Sequence, residues 1–160
     1  MAEMGERDRE FMGLALALAR KNAASAEGGP FGAVVVYEGK VVGEGRNQVT
    51  ATNDPTAHAE IVAIREAARK LKRFDLQGCV VYTSCEPCPM CLAAAYWARV
   101  DRVVYSATQN EAAAAGFDDA FLYEELAKPT PARSLKVERV TGDGEDPFAV
   151  WLANPNRIPY

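Results

Sequence analysis

At 160 residues the chain has room for one domain with a substantial core, and it needs no disulfide staples to hold it. Hydrophobic residues at 49% and charged residues at 25% describe an ordinary globular balance, with no apolar run near the roughly 20 residues of a membrane span. A net charge of −4 lacks the basic footprint of a protein that grips a phosphate backbone, which argues for a small substrate and against nucleic acid.

Phe11, Leu14, Ala15 and Leu18 recur at helical spacing, so residues 7–26 are expected to form an amphipathic helix that Gly28-Gly29-Pro30 ends. Acidic residues precede its apolar stretch and no cleavage-like site follows, so no signal peptide is expected. Gly32 to Tyr37, the turn Glu38-Gly39-Lys40 and Val41 to Asn47 form a hairpin. A polar stretch from Gln48 to Thr56 leads into Ala57-His58-Ala59-Glu60 and a second helix, with Ile61, Ile64, Ala68 and Leu71 on one face.

Cys79 to Thr83 is a short buried strand, and Pro87 opens a third helix through Ala98, because proline suits a first helical turn. Arg102 to Ala107 is a strand, Asp119 to Leu126 a helix, Leu135 to Val140 a further strand, and Pro147 to Ala153 a last helix. Residues 154–160 carry two prolines and are expected to run as an extended arm. Strands that alternate with helices favour parallel pairs with helices on both faces of the sheet.

Three of the four cysteines, Cys85, Cys88 and Cys91, fall within seven residues, while Cys79 stands apart. That grouping suits thiolate ligation in a reducing, cytoplasmic setting better than a disulfide framework. The single histidine stands in His58-Ala59-Glu60. Downstream, Pro87-Cys88-Pro89-Met90-Cys91 sets two thiols three apart at the mouth of a helix, on one face, where the positive end of the helix dipole favours thiolates. One imidazole and two thiolates leave a fourth tetrahedral position open, the pattern of a catalytic Zn2+, one per chain. Zinc so held activates a water at neutral pH, and a carboxylate is then needed to move its proton to the leaving amine. Glu60 is the candidate. In a regular helix residues two apart diverge, so His58 and Glu60 are expected at an irregular helix entrance.

Taken alone, a CxxC is equally a redox pair or a structural half-site, and a lone histidine is an ordinary polar residue. Their order here, H-x-E followed by P-C-x-x-C, is the signature of zinc deaminases. Cys85 makes an overlapping CxxC with Cys88; the proline before Cys88 favours Cys88 and Cys91 as ligands, with Cys85 a buried strand-end thiol and Cys79 in the core.

With these residues in hand, the chain resembles the cytidine deaminase superfamily, and within it the bacterial guanine deaminases of that fold. The resemblance is carried by Gly28 to Ala33, Asn53 to Glu60, Tyr82 to Cys91, Tyr96 to Arg99 and Ala115 to Asp119. The first three stretches are shared in part with tRNA adenosine deaminases, and the last discriminates. The resemblance implies a three-layer α/β/α sandwich around a five-stranded mixed sheet, as a single deaminase domain over residues 1–160. It implies a homodimer in which the C-terminal helix and arm, about residues 146–160, cross to the partner, and attack at C2 of guanine to give xanthine and ammonia. It further implies substrate contacts from Phe31, Asn47, Ala59, Trp97, Asp119 and Tyr160. Phe31 can stack on a flat ring, Asn47 can donate and accept, and Asp119 can accept a ring N–H. Each also has a plainer reading, as core, strand end, helix cap or fraying terminus.

Three other readings stand beside this one. A tRNA adenosine deaminase would use the basic cluster Arg65, Arg69, Lys70, Lys72 and Arg73, though a solvated helix face with Glu66 interleaved explains it as well. A deaminase of another small ring or nucleoside, such as guanosine, cytosine or a triazine, would share the chemistry and differ in the pocket walls. A zinc-stabilised binding module would have no need of Glu60.

Overall fold

Consecutive valines face opposite ways along a strand, and Val34, Val35 and Val36 of β1 (Gly32–Tyr37) are all buried, so β1 is covered on both faces. Val34 and Val36 pack with Tyr82 against Phe11, Met12 and Ala15 of α1 (Glu6–Ser25). Ala33 and Val35 face Ala59, Ala63 and Ala67 across the sheet, on a helix, α3, described below. Residues 5–160 are described in this computed structural model, in two compact units, one running to Leu122 and one spanning Tyr123–Tyr160.

In the first unit β1 turns through Glu38 and Gly39, both at positive φ, into β2 (Lys40–Arg46). Two central residues at positive φ make the tight hairpin whose twist matches the strands. The loop after β2 contains a single turn, α2 (Val49–Thr52), and leads to α3 (Ala59–Leu71). Alanines along α3 let it lie close to the sheet. At Gly45 of β2 an added Cβ would stand 2.0 Å from the Ala59 carbonyl oxygen, so the first turn of α3 rests directly on that glycine. β3 (Cys79–Cys85), α4 (Pro89–Trp97) and β4 (Arg102–Ala107) complete a strand–helix–strand crossover, followed by α5 (Gln109–Ala114) and α6 (Ala120–Ala127). The sheet order is β2-β1-β3-β4, antiparallel except for the β3–β4 pair.

The mixed α/β sheet is as expected, but among the described residues it has four strands and not five. Leu135 to Val140 enters no ladder, and its Leu135, Val137 and Val140 are exposed. A strand is defined by a partner for its N–H and C=O groups, and alternating side chains cannot supply one. Three local readings also shift. The buried stripe of α1 is Phe11, Met12, Ala15, Ala19 and Asn22, with Leu14 turned outward. The proline that opens α4 is Pro89, with Cys88 as N-cap, and not Pro87. The α5 helix, absent from the sequence reading, is started by a capping box in which Thr108 and Glu111 satisfy each other's backbone amides.

The second unit holds the end of α6, a 3-10 turn (Thr130–Ala132) and α7 (Pro147–Ala153), which Asp146 caps by accepting from the Phe148 amide. Its central tie is Glu125, which receives Lys128 and the amide and hydroxyl of Ser134 and whose carboxyl is held down at about 2 by them. No helix of the described residues is long and apolar enough to cross a membrane.

Candidate active site

Two helix N-termini converge here. His58 is the N-cap of α3 and Cys88 the N-cap of α4, both with extended backbone and neither making a side-chain cap bond. Positions that usually carry Ser, Thr, Asp or Asn therefore carry metal-ligand chemistry, at some cost to helix capping. Cys91 follows on the first turn of α4, and Glu60 on the first turn of α3. The extended conformation of His58 answers the problem of spacing, because only a residue outside the helical path can share a face with one two places on.

His58, Cys88 and Cys91 form the one group among the described residues whose ligand atoms could hold a metal, all within 4.8 Å of one another. The Sγ atoms of Cys88 and Cys91 lie 3.6 and 3.5 Å from His58 Nδ1. A tetrahedral zinc with Zn–S of about 2.3 Å and Zn–N of about 2.0–2.1 Å needs an S···N edge of about 3.6 Å. The donor set fits zinc in type, number and spacing. Electrostatics favour one thiolate in the set: bonds from Cys91 and His58 lower the Cys88 thiol to about 4. Cys91, beside that thiolate and buried, is pushed up, and His58 is raised by the same thiolate. Cys85 stands outside this group of three, with its thiol pointed at the Thr108 carbonyl and raised to about 11 by burial.

Glu60 is only 8% exposed. Burial raises its pKa, and its two oxygens meet Thr83 Oγ1 at 3.2 Å and Cys91 Sγ at 3.4 Å, each of these donating. Beyond it lies a cavity of about 390 Å³, within the range of small-molecule sites. Phe31, Asn47, His58, Glu60, Cys88 and Asp119 all line it, so six of the residues expected from the sequence share one space. Phe31 meets Phe117 edge-on at 5.0 Å. Asp118 accepts from the Ala120 amide ahead of α6, the capping role, while burial raises the Asp119 carboxyl. Glu86 accepts from the Gln109 amide and lines the same cavity. The lining carries four carboxylates and neither lysine nor arginine.

Ala59 is fully buried in the α3 core and Trp97 stands 65% exposed at the end of α4, and neither is in the lining, while Tyr160 belongs to the second unit. Conversely, Thr83 and Phe117 belong to the site but were not singled out in the sequence. Three of the five basic residues on and just after α3 are engaged locally: Arg65 faces Asp54 at 3.8 Å, Lys70 reaches the Val41 carbonyl, and Arg73 lies over the Tyr37 ring.

The model of the cytidine and deoxycytidylate deaminase zinc-binding region matches residues 5–107. The chain is 48% identical to the guanine deaminase of Bacillus subtilis over 151 residues, covering 94% of this chain and 97% of that one. The crystal structure of a Bacillus subtilis guanine deaminase superposes with a TM-score of 0.92 at 47% identity, over 95% of this chain and 98% of that one. A guanine deaminase from Nitrosomonas europaea matches with a TM-score of 0.65 at 37% identity, over 74% and 68%. A tRNA-specific adenosine deaminase from Aquifex aeolicus is 43% identical over 82 residues, 51% of this chain and 54% of its own.

Proposed function

The chain belongs to the cytidine and deoxycytidylate deaminase zinc-binding family, and from that premise we propose how it works as a zinc-dependent hydrolase that converts guanine to xanthine and ammonia. The reach of the likeness carries the choice of ring. With the Bacillus subtilis guanine deaminase it covers 94% of the chain at 48% identity, whereas tRNA-specific adenosine deaminases match 51–71% of it at 39–43%. The pocket's character supports the same choice. Two aromatic rings suit a flat base, and carboxylates without a lysine or arginine suit ring N–H groups and repel a phosphate backbone.

His58, Cys88 and Cys91 would hold the zinc. Bound zinc supplies Lewis-acid activation of a water at neutral pH. Glu60 receives the proton of the attacking water and delivers it to the departing nitrogen. Its raised pKa suits a group that must both take and give a proton, and Thr83 anchors one of its oxygens. Phe31 stacks on the ring, Asn47 bonds its edge and Asp119 accepts a ring N–H. Ala59, with its side chain in the core, reaches the substrate only through its backbone.

We assign the second unit to a homodimer in one working deaminase domain, with about residues 146–160 exchanged so that Tyr160 closes the other copy's pocket and Trp97 joins the completed wall. Exposed Leu135, Val137, Phe148, Leu152 and Ile158 support this, since apolar side chains gathered in one short segment mark an interaction surface. Four free cysteines suit a cytoplasmic enzyme. The test is ammonia release from guanine, guanosine, cytosine, adenine and a tRNA anticodon loop. Guanine should be turned over fastest; deamination of the RNA with a steep salt dependence, and none of guanine, would overturn the reading.

A further inference from the structure

The stripe that α1 buries runs Phe11, Met12, Ala15, Ala19 and then Asn22, so a side-chain amide occupies a place where the pattern calls for an apolar residue. Asn22 is fully buried, and its Oδ1 has no hydrogen-bond partner among the described residues. A buried amide that leaves an acceptor unsatisfied is a poor choice for stability alone. Its other atom is fully occupied. Nδ2 donates to the Gly29 carbonyl at 2.7 Å and to the Asn47 carbonyl at 2.8 Å. The orientation follows from those partners, because the reversed amide would set an oxygen against two carbonyls.

Both acceptors belong to residues that line the pocket, and they are tied to each other as well. Asn47 Oδ1 accepts from the Gly29 amide and from the Val49 amide, each at 3.2 Å. The Asn47 amide itself continues from β2 onto the Phe31 carbonyl at 3.1 Å. At Gly28 an added Cβ would stand 2.2 Å from the Asn47 carbonyl oxygen, so the loop before β1 is pressed onto Asn47. With Oδ1 spent on two backbone amides, what Asn47 has to offer a ring is the N–H of its Nδ2.

We propose that Asn22 is a positioning residue, which clamps the Gly29 and Asn47 backbones together so that Asn47 meets the substrate as a fixed hydrogen-bond donor. The substrate edge at Asn47 is then one that carries an acceptor, such as a ring nitrogen or carbonyl oxygen. Without Asn22 the Gly29–Asn47 pair can part, Oδ1 loses its backbone donors, and the amide turns between donor and acceptor. Such a loss weakens ground state and transition state alike, so it falls on KM more than on kcat.

The substrate arm of this inference rests on the guanine reading, and the experiment keeps the two apart. Asn22→Ala is prepared alone and with Asn47→Ala, with zinc content measured in each; Asn22→Ser replaces it if the alanine variant does not fold. The single variant should keep zinc and raise KM for guanine roughly tenfold, with kcat within about threefold. In the Asn47→Ala background the same change should add less than about twofold, because the side chain it positions is gone. Amide hydrogen exchange at Gly29 and Val49 should quicken in Asn22→Ala whatever the substrate. An unchanged KM, a tenfold effect that persists without the Asn47 side chain, or unchanged exchange at both amides overturns the proposal. Quickened exchange in a protein whose wild type leaves guanine untouched would sink the guanine reading and leave the clamp standing.

Discussion

Every buried residue of the described chain lies at or before Ala98, whereas from Tyr123 to Tyr160 no side chain is buried, and Glu125 and Arg157 bond to neighbours close in sequence. The contrast separates two jobs. Ligands and a proton carrier must be held within a fraction of an ångström, and they sit on helix N-termini braced by a two-sided core. A segment stabilised by its own short-range bonds offers surface instead of geometry, and its exposed apolar side chains call for something to cover them.

The sharpest way to test that division is within the core itself, where function and stability should pull apart. Glu60 is a carboxyl whose burial favours its neutral form. The ionised form is therefore a cost to the folded state, incurred as pH rises from the unfolded value of about 4.3 toward the raised folded one. Glu60→Gln removes that cost along with the proton carrier. Its kcat for guanine should fall by about 10²–10⁴, with zinc retained and the melting temperature at neutral pH unchanged or higher. Near-normal turnover would remove Glu60 from its role; a large fall in melting temperature would show that the site also holds the fold.

How much of this was legible in the sequence follows the same boundary. His58, Glu60, Cys88 and Cys91 were readable because metal chemistry restricts residue type and spacing, and local helix entrances then suffice to gather them. Thr83 left a weaker signal: it continues the column Cys79, Val81 that faces α3, and a hydroxyl in such a column asks for a polar partner. Asn22 is the same kind of signal on α1. Neither partner could be named, since Glu60 and Asn47 lie far off in sequence and only the sheet brings them near. Leu135 to Val140 failed for the opposite reason. Its alternation was plain, but a strand needs a neighbour, and no pattern within a segment states whether one is present.

A smaller effect is expected at the far end of the chain. Deleting Ile158 to Tyr160 removes exposed residues of a unit without a core, so zinc content and melting temperature should stay as they are. If that end closes a pocket in the homodimer, kcat/KM for guanine should drop roughly tenfold to a hundredfold. Unaltered kinetics would break the closure idea, and a loss of stability would show that the second unit is not as self-contained as its hydrogen bonds imply.

The smallest effect concerns what binds the first unit together at its margin. Asp8, on the first turn of α1, accepts from Tyr82 of β3 at 2.6 Å and from Arg102 of β4, and Arg102 also reaches the Tyr82 hydroxyl. Tyr82 and Arg102 together hold the Asp8 carboxyl below its ordinary value. A depressed carboxylate contributes stability that is complete above the unfolded pKa, about 3.9, and is lost as pH falls through the folded one. Asp8→Asn should therefore cost about 1–2 kcal/mol at pH 7, roughly 2–8 °C in melting temperature for a chain of this size. The gap between variant and wild type should close as pH is lowered below about 4, because the wild type then loses the same charge. A gap that is constant with pH would mean the triad acts through packing, leaving charge with no part in joining α1 to the sheet.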